Sequence, residues 1–203
     1  MINKHKWYSI ALVSVAMILG LISITGAAPF AYITNLASNN VSVIDTATNN
    51  VTATVNGLNN PYGVTVTPDG TKVYVTNGLI NNVSIIDTAT NNVTANVNGL
   101  NNPYGVAVNP TGTKVYVTNF NTYFKDGTVS VIDTATNNVT ATVTVGIDPN
   151  GVAVTPDGSK VYVANNGHEY FPGKTVSEIN TVTNNVTATI NVGVAPIGVA
   201  VTP

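Results

Sequence analysis

Hydrophobic and polar residues alternate with a period of two in the stretch from residue 63 to residue 99. Four short segments carry this pattern: Gly63–Thr67, Lys72–Thr76, Val83–Asp87 and Val93–Val97. Each segment has the length of a β-strand, and none has apolar residues at the 3.6-residue spacing of a helix. The pattern therefore predicts four consecutive strands.

The residues between these segments are typical of tight turns. Pro68-Asp-Gly-Thr71 joins the first two segments, where Pro fixes φ, Asp can bond the backbone two residues on and Gly accepts a positive φ. Thr88 to Asn92 joins the last two segments, and Asn tolerates left-handed backbone geometry. Four strands joined in this way predict an antiparallel meander.

The same unit occurs again and again along the chain. One four-residue motif begins at Tyr32, Tyr74, Tyr116 and Tyr162, at spacings of 42, 42 and 46 residues. Four-stranded meanders at a period of about 40 to 45 residues are typical of propeller blades, which bury their apolar faces only against neighbouring blades. The sequence thus predicts an all-β propeller with about four blades' worth of sequence.

The two ends of the repeat region look like parts of one blade. Full units start near Pro61, Pro103 and Pro149, whereas residues 30–55 supply only the second to fourth strands and residues 196–203 only a first strand. Pairing of these two parts would hide exposed strand edges. Three arrangements remain open: a closed four-bladed ring, an oligomer that completes a larger ring, and a partial propeller.

Several short motifs resemble the YVTN-type β-propeller repeat of archaeal and bacterial cell-surface proteins, including surface-layer proteins. They are YVTN (Tyr74–Asn77), VSVIDTATNNVTATV (Val41–Val55), PYGV (Pro61–Val64) and VTPDG (Val66–Gly70). The resemblance extends from about residue 30 to residue 203. It implies a propeller with a structural, adhesive or binding role at the cell surface, with a cell-wall glycan or a surface protein as partner.

The first residues have the pattern of a secretory signal peptide. Lys4 and Lys6 precede an apolar run from Ile10 to Ile24, which is followed by small residues up to Ala28. This run is shorter than the roughly 20 residues of a membrane helix. We therefore expect a signal peptide at 1–28, a propeller domain at 29–203, an exported protein, and no membrane contact after cleavage.

Charge and composition exclude some partners. Removal of residues 1–28 leaves five lysines and no arginine against nine carboxylates. This balance argues against a nucleic-acid partner, which requires a basic face. The chain also has no cysteine, so its stability must come from burial between blades, and no motif calls for a cofactor.

The candidate binding face carries two long loops, at 120–127 and 166–174, where the other repeats are short. Loops on a rigid scaffold often hold function, and exposed aromatic rings suit sugars or protein partners. The candidate residues are Tyr62, Tyr104, Tyr123, Phe124, Lys125, His168, Tyr170 and Phe171. The alternative interpretation is that these aromatic side chains fold back and cover the blade ends.

Catalysis has little support in the sequence. His168 beside Glu169 is the one candidate acid–base or metal pair after residue 28, and no Cys or second His completes a metal site there. Asp45, Asp87 and Asp133 recur once per unit, which indicates turn residues. We predict no enzyme; the alternatives are a lactonase-like propeller enzyme and a fragment whose site lies in missing blades.

Acceptor sequons for N-glycosylation recur with the repeat. They lie at Asn40, Asn50, Asn82, Asn92, Asn138 and Asn185. Because repetition creates them together, they do not count as six independent signals. The sequons at Asn50, Asn92, Asn138 and Asn185 lie beside turns, where we expect the greater accessibility.

Overall fold

The computed structural model describes residues 29–120, 125–168 and 170–203, and the regular structure in this part of the chain is entirely β. The strands are β1 (Phe30–Asn35), β2 (Asn40–Asp45), β3 (Asn50–Val55), β4 (Pro61–Val66), β5 (Lys72–Asn77), β6 (Asn82–Asp87), β7 (Asn92–Val97), β8 (Pro103–Val108), β9 (Lys114–Asn119), β10 (Asp126–Asp133), β11 (Asn138–Ile147), β12 (Pro149–Val154), β13 (Lys160–His168), β14 (Phe171–Asn180) and β15 (Asn185–Asn191). The predicted signal peptide at 1–28 lies outside the described residues. Within those residues, nothing has the length and apolar character of a membrane-crossing helix.

The strands form four separate antiparallel sheets, each in chain order. We call them blade 1 (β1–β3), blade 2 (β4–β7), blade 3 (β8–β11) and blade 4 (β12–β15). The predicted meander and the all-β propeller fold are confirmed. Loops between the second and third strands of a blade, and the connections between blades, lie on one side, the upper face. The other turns lie on the lower face.

The lower-face turns confirm the expected role of the recurring acidic residues. The Asp87 carboxylate accepts a hydrogen bond from the backbone N–H of Thr90 at 2.9 Å, and Asn91 adopts a left-handed φ of 55°. The carboxylates of Asp45 and Asp133 accept the equivalent backbone bonds. These residues therefore close turns.

The hydrophobic core lies between the blades. Between blades 1 and 2, Val43 and Val55 pack with Val73, Val75 and Ile86, and all five side chains are buried. Equivalent clusters join blades 2 and 3 and blades 3 and 4. Each fully buried Val or Ile contributes roughly 1.5–3 kcal/mol before entropy is subtracted, so neighbouring blades stabilise one another.

An asparagine amide, buried in blades 2 to 4 and half-buried in blade 1, ties the second strand of each blade to the third. The Asn77 amide donates to the Asn82 side-chain oxygen at 2.8 Å and to the Ser84 hydroxyl at 2.9 Å. Asn35, Asn119 and Asn165, at the same place in the other blades, make equivalent bonds to side-chain oxygens of the third strand. The last residue of the four-residue motif is therefore a structural hydrogen-bond donor.

The inner strands of neighbouring blades are joined through a threonine. The Thr76 hydroxyl accepts a bond from Gly63 N–H at 2.8 Å and donates to the Tyr104 carbonyl oxygen at 2.6 Å. Glycine is required at position 63 because a Cβ there would lie 2.5 Å from that carbonyl oxygen. The threonine thus links a strand of its own blade to the inner strand of the next.

The same close approach recurs at each later junction. A Cβ on Gly105 would lie 2.2 Å from the Asn150 carbonyl oxygen, and one on Gly151 would lie 2.3 Å from that of Ile197. Blade 4 has Ala164 in place of the threonine, and Gly151 N–H donates directly to the Ile197 carbonyl at 2.8 Å.

The four blades do not close into a ring within one chain. Residues 196–203 lie beside β12, through the bond between Gly151 and Ile197, and form no strand with β1. Among the three arrangements considered from the sequence, the closed four-bladed ring is not formed. The last segment instead occupies the position that the inner strand of a following blade would take.

Candidate binding face

Two tyrosines form an aromatic platform at the inner edge of the upper face. Tyr62 and Tyr104 follow the prolines that begin β4 and β8, and their ring centroids lie 4.2 Å apart at an interplanar angle of 32°. Burial is the largest influence on the Tyr104 phenol and raises its pKa. The repeat therefore brings these two sequence-predicted residues together, with the Tyr62 ring partly open to solvent.

Asparagine amides surround this platform. Asn60 and Asn102 precede the two prolines in left-handed conformations, with φ of 53° and 46°. A Cβ on Gly78 would lie 3.3 and 3.2 Å from the side-chain oxygens of Asn60 and Asn102, and 3.6 Å from the Tyr62 ring. The small glycine therefore leaves room for two amides beside an aromatic ring.

The preceding upper-face loop holds each of these asparagines in place. The Asn39 side-chain oxygen accepts the Asn60 N–H at 2.7 Å, and the Asn81 side-chain oxygen accepts the Asn102 N–H at 2.7 Å. Sequence reasoning did not select these four residues. The repeated Asn-Asn-Pro-Tyr motif, at residues 59–62 and 101–104, was the available signal.

The second long insertion is an extension of the sheet. β13 continues to His168 and β14 begins at Phe171, with Gly167 opposite Pro172 and His168 opposite Phe171. The His168 and Tyr170 rings stack with centroids 5.4 Å apart. The pairing therefore holds the aromatic residues on a projecting hairpin.

The tip of this hairpin is open to solvent. The relative exposure of Tyr170 is 72% and that of Phe171 is 71%. The alternative interpretation, in which the aromatic side chains fold back over the blade ends, is therefore wrong for these two residues. The hairpin joins the second and third strands of blade 4, so topology places it on the upper face with Tyr62 and Tyr104.

The structure describes only part of the other long insertion, at 120–127. Lys125 is exposed directly before β10, whereas Tyr123 and Phe124 lie outside the described residues, as does Glu169 of the candidate acid–base pair. In the described part of the chain, no three His, Cys, Asp or Glu side chains are grouped to hold a metal ion.

The lower face carries the most strongly shifted acidic group. The Thr155 hydroxyl is the largest influence on Asp157, followed by the Ser159 backbone N–H at 3.0 Å and the Ser159 hydroxyl at 2.8 Å. These bonds lower the pKa of Asp157 to about 2. They stabilise a turn carboxylate and create no acid–base pair.

The sequon asparagines divide by exposure. Asn50, Asn92, Asn138 and Asn185 are exposed at the lower face. On the upper face Asn40 is half-buried, and Asn82 is buried with its amide donating to Asn98 at 3.4 Å. Glycosylation at any of the six stays a prediction, and the lower-face sites are the accessible ones.

Comparison with known proteins agrees with this architecture. The family model of the YNCE-like beta-propeller matches residues 8–125, more than half of the 203-residue chain. The chain belongs to this family. No curated protein matches this YNCE-like propeller chain.

Solved structures resemble this YNCE-like propeller in fold. A chain of Kuenenia stuttgartiensis hydrazine synthase matches with a TM-score of 0.74 and 23% sequence identity, over 80% of this chain and 46% of the synthase chain. The present chain thus spans less than half of that protein. Because 993 solved chains match, the likeness identifies the propeller fold and does not single out an activity.

Proposed function

We propose that this protein is an exported, non-enzymatic propeller of the cell surface, whose upper face binds a surface polymer, specifically a glycan. The exposed aromatic tip formed by Tyr170 and Phe171 is the observation that carries the proposal. Exposed aromatic side chains on a rigid hairpin are costly to solvate and suit a partner that covers them.

The chemistry around the aromatic rings favours a sugar over a charged ligand. Tyr62 offers a ring face, and the amides of Asn60 and Asn102 beside it can bond hydroxyl groups. A sugar ring presents apolar C–H groups on its faces and hydroxyl groups at its edge, so it matches both features. With 8% charged residues, the chain has few groups to hold an ionic ligand.

Two sites of contact suit an extended partner better than a small one. The Tyr62–Tyr104 platform lies at the inner edge of the upper face, and the hairpin tip projects from blade 4. A polymer can touch both, and simultaneous contact at two places strengthens binding without new chemistry. The proposed export, which places the face against cell-wall material, rests on the signal-peptide pattern in residues 1–28.

Substitution of the aromatic tip tests the proposed glycan binding. We expect the double variant Tyr170→Ala and Phe171→Ala to reduce retention on purified cell-wall polysaccharide of the host about tenfold, because each of the two lost stacking contacts contributes about 0.5–1.5 kcal/mol. Tyr62→Ala should reduce retention by a smaller factor. The measurement is affinity electrophoresis or a pull-down with the polysaccharide.

A control on the other face separates lost binding from damage to the fold. Val182→Ala removes an exposed apolar side chain from a lower-face turn and should leave retention unchanged. Equal retention of the wild type and the Tyr170/Phe171 double variant would reject the proposed binding face. Recovery of the protein only from the cytoplasm would reject the proposed export.

A further inference from the structure

Blade 1 has an incomplete inner side in the described structure. It has three strands, whereas blades 2, 3 and 4 have four, so the inner edge of β1 has no strand beside it. Ile33 on β1 is 45% exposed, but the residues at its position in blades 2 and 3, Val75 and Val117, are fully buried. Blade 1 therefore presents half of an inter-blade core without its partner.

Blade 4 presents the other half of such a core. Ile190 on β15 is 39% exposed, whereas Val55, Val97 and Val143, at its position in the preceding blades, are at most 5% exposed. The three existing cores each join these two positions across a junction: Val55 packs with Val75, Val97 with Val117, and Val143 with Val163. The two exposed faces are therefore matching halves of a fourth core.

The segment from Pro196 to Val201 has the sequence of the strand that blade 1 lacks. It reads PIGVAV, and β8 reads PYGVAV. Its glycine, Gly198, corresponds to Gly63, which donates to Thr76. In blade 1 the equivalent hydroxyl, that of Thr34, already donates to the Tyr62 carbonyl at 2.7 Å, as Thr76 does to Tyr104.

We propose that two copies of this chain join head to tail and form one closed, eight-bladed ring. In this ring, Pro196–Val201 of each copy is the inner strand of blade 1 of the other, and Ile190 packs against Ile33 across each junction. Four sheets per copy give eight blades, each with four strands. Eight lies within the usual range for propellers, and a two-fold axis closes the ring without leaving a free strand edge.

The repeat also fixes the register of the exchanged strand. In blade 2, Val64 is opposite Val75 and Val66 is opposite Val73. The corresponding pairs across the junction are Val199 with Ile33, and Val201 with Ala31. The described chain leaves both end faces exposed, so we place this pairing between two copies and not within one chain.

One glycine distinguishes the proposed ring from a single chain. A Cβ on Gly198 meets nothing within 4 Å in the single chain, whereas the corresponding Cβ positions on Gly63, Gly105 and Gly151 would lie 2.2–2.5 Å from a backbone oxygen of the next blade. Gly198→Ala should therefore leave the single chain undisturbed and weaken the dimer at least tenfold. Val182→Ala is the control, since Val182 is 86% exposed in a lower-face turn and blades 1 to 3 have alanine at this position.

Light scattering and sedimentation of the purified protein, as its host processes it, measure this effect. We expect the wild type and Val182→Ala to have twice the mass that mass spectrometry gives for one chain, with Gly198→Ala dissociating at least tenfold more readily. A monomeric wild type, a series of larger assemblies, or a Gly198→Ala dimer of undiminished affinity would each overturn the proposal.

A disulfide across the junction tests the register independently. The chain has no cysteine, so the double variant Ala31→Cys and Val201→Cys introduces the only thiols. Cross-strand neighbours lie within disulfide range, and we expect a covalent dimer on a non-reducing gel that dithiothreitol converts to monomer. A disulfide within one chain, or no disulfide under oxidising conditions, would contradict the exchange of strands.

Discussion

At the residue scale, asparagine does three kinds of structural work in this protein. It adopts left-handed φ in the lower-face turns, for example at Asn91, and in the upper-face loops, for example at Asn81. As Asn77 it is a buried donor between strands. The turn roles could be predicted from the sequence because they depend on neighbouring residues. The buried role could not, because its partners are identified only once two strands are paired.

The Asp157 turn predicts a stability that depends on acidity. Its pKa of about 2 lies below the ordinary value of 3.8, so its contribution to the free energy of unfolding is complete above about pH 4. That contribution is lost as the pH falls towards about 2. We expect Asp157→Asn to flatten the fall in unfolding free energy across this interval, measured by urea unfolding at several pH values.

A substitution at the same turn position of blade 3 is the control for this effect. Thr111 occupies the position of Asp157, and its hydroxyl contacts Asn109 and Thr113. Thr111→Asn removes no carboxylate and should leave the pH dependence unchanged. Identical pH dependence in the wild type and Asp157→Asn would contradict the assigned role of the carboxylate.

At the element scale, the sequence predicts the strands well and the long insertions poorly. The predicted Lys72–Thr76 and Val83–Asp87 are observed as β5 and β6 with one more residue each. The insertion at 166–174 was expected to be a loop, yet strand pairing continues through Gly167 and Pro172. Gly167 has a φ of 71°, which lets the hairpin remain paired, and no local pattern indicated that register.

The junction between inner strands predicts different costs for two substitutions of Thr118. Its hydroxyl accepts Gly105 N–H at 2.7 Å and donates to the Asn150 carbonyl at 2.8 Å. Thr118→Val should lower the free energy of unfolding by about 2 kcal/mol, because a methyl group replaces the hydroxyl and leaves the Gly105 N–H and the Asn150 carbonyl without this partner. Thr118→Ala should cost less, since the natural Ala164 coexists with a direct bond between inner strands.

Guanidinium unfolding of the two variants measures this difference. Thr142→Val, on the exposed side of β11, is the control and should change the free energy of unfolding by less than about 0.5 kcal/mol. Equal losses for Thr118→Val and Thr118→Ala would show that the strands at this junction cannot move together.

At the scale of the whole molecule, repetition made the fold predictable and left its closure open. The period of the motif and the four strands per unit indicated blades, and both are observed. Closure depends on the angle between blades, which arises from side-chain packing across three cores. That angle has no local signature in the sequence. The amides of Asn60 and Asn102 were missed for a related reason, because their neighbour Gly78 is distant along the chain.

The small role of charge predicts that stability is nearly independent of salt. Lys160 and Glu178, 3.0 Å apart and partly exposed, form the single ion pair within the described residues. Exposed pairs of this kind contribute little and are screened by salt. Between about 0.05 and about 0.5 M sodium chloride, we expect the free energy of unfolding to change by less than about 0.5 kcal/mol.

Unfolding with urea, which is uncharged, allows the salt concentration to be varied separately. Glu178→Gln should retain the same weak salt dependence as the wild type. A large loss of stability with added salt would show that electrostatic attraction, rather than burial between blades, holds the molecule together.

The contacts of glycine, threonine and backbone carbonyl between neighbouring inner strands allow such a protein to lengthen during evolution. Each junction uses main-chain atoms and the same few side chains, so a tandem duplication of one 42-residue unit supplies a new blade together with both of its attachments. Gene duplication can therefore lengthen the array without the invention of a new interface. Loops on the upper face are then free to diverge, as the two long insertions of blades 3 and 4 already have.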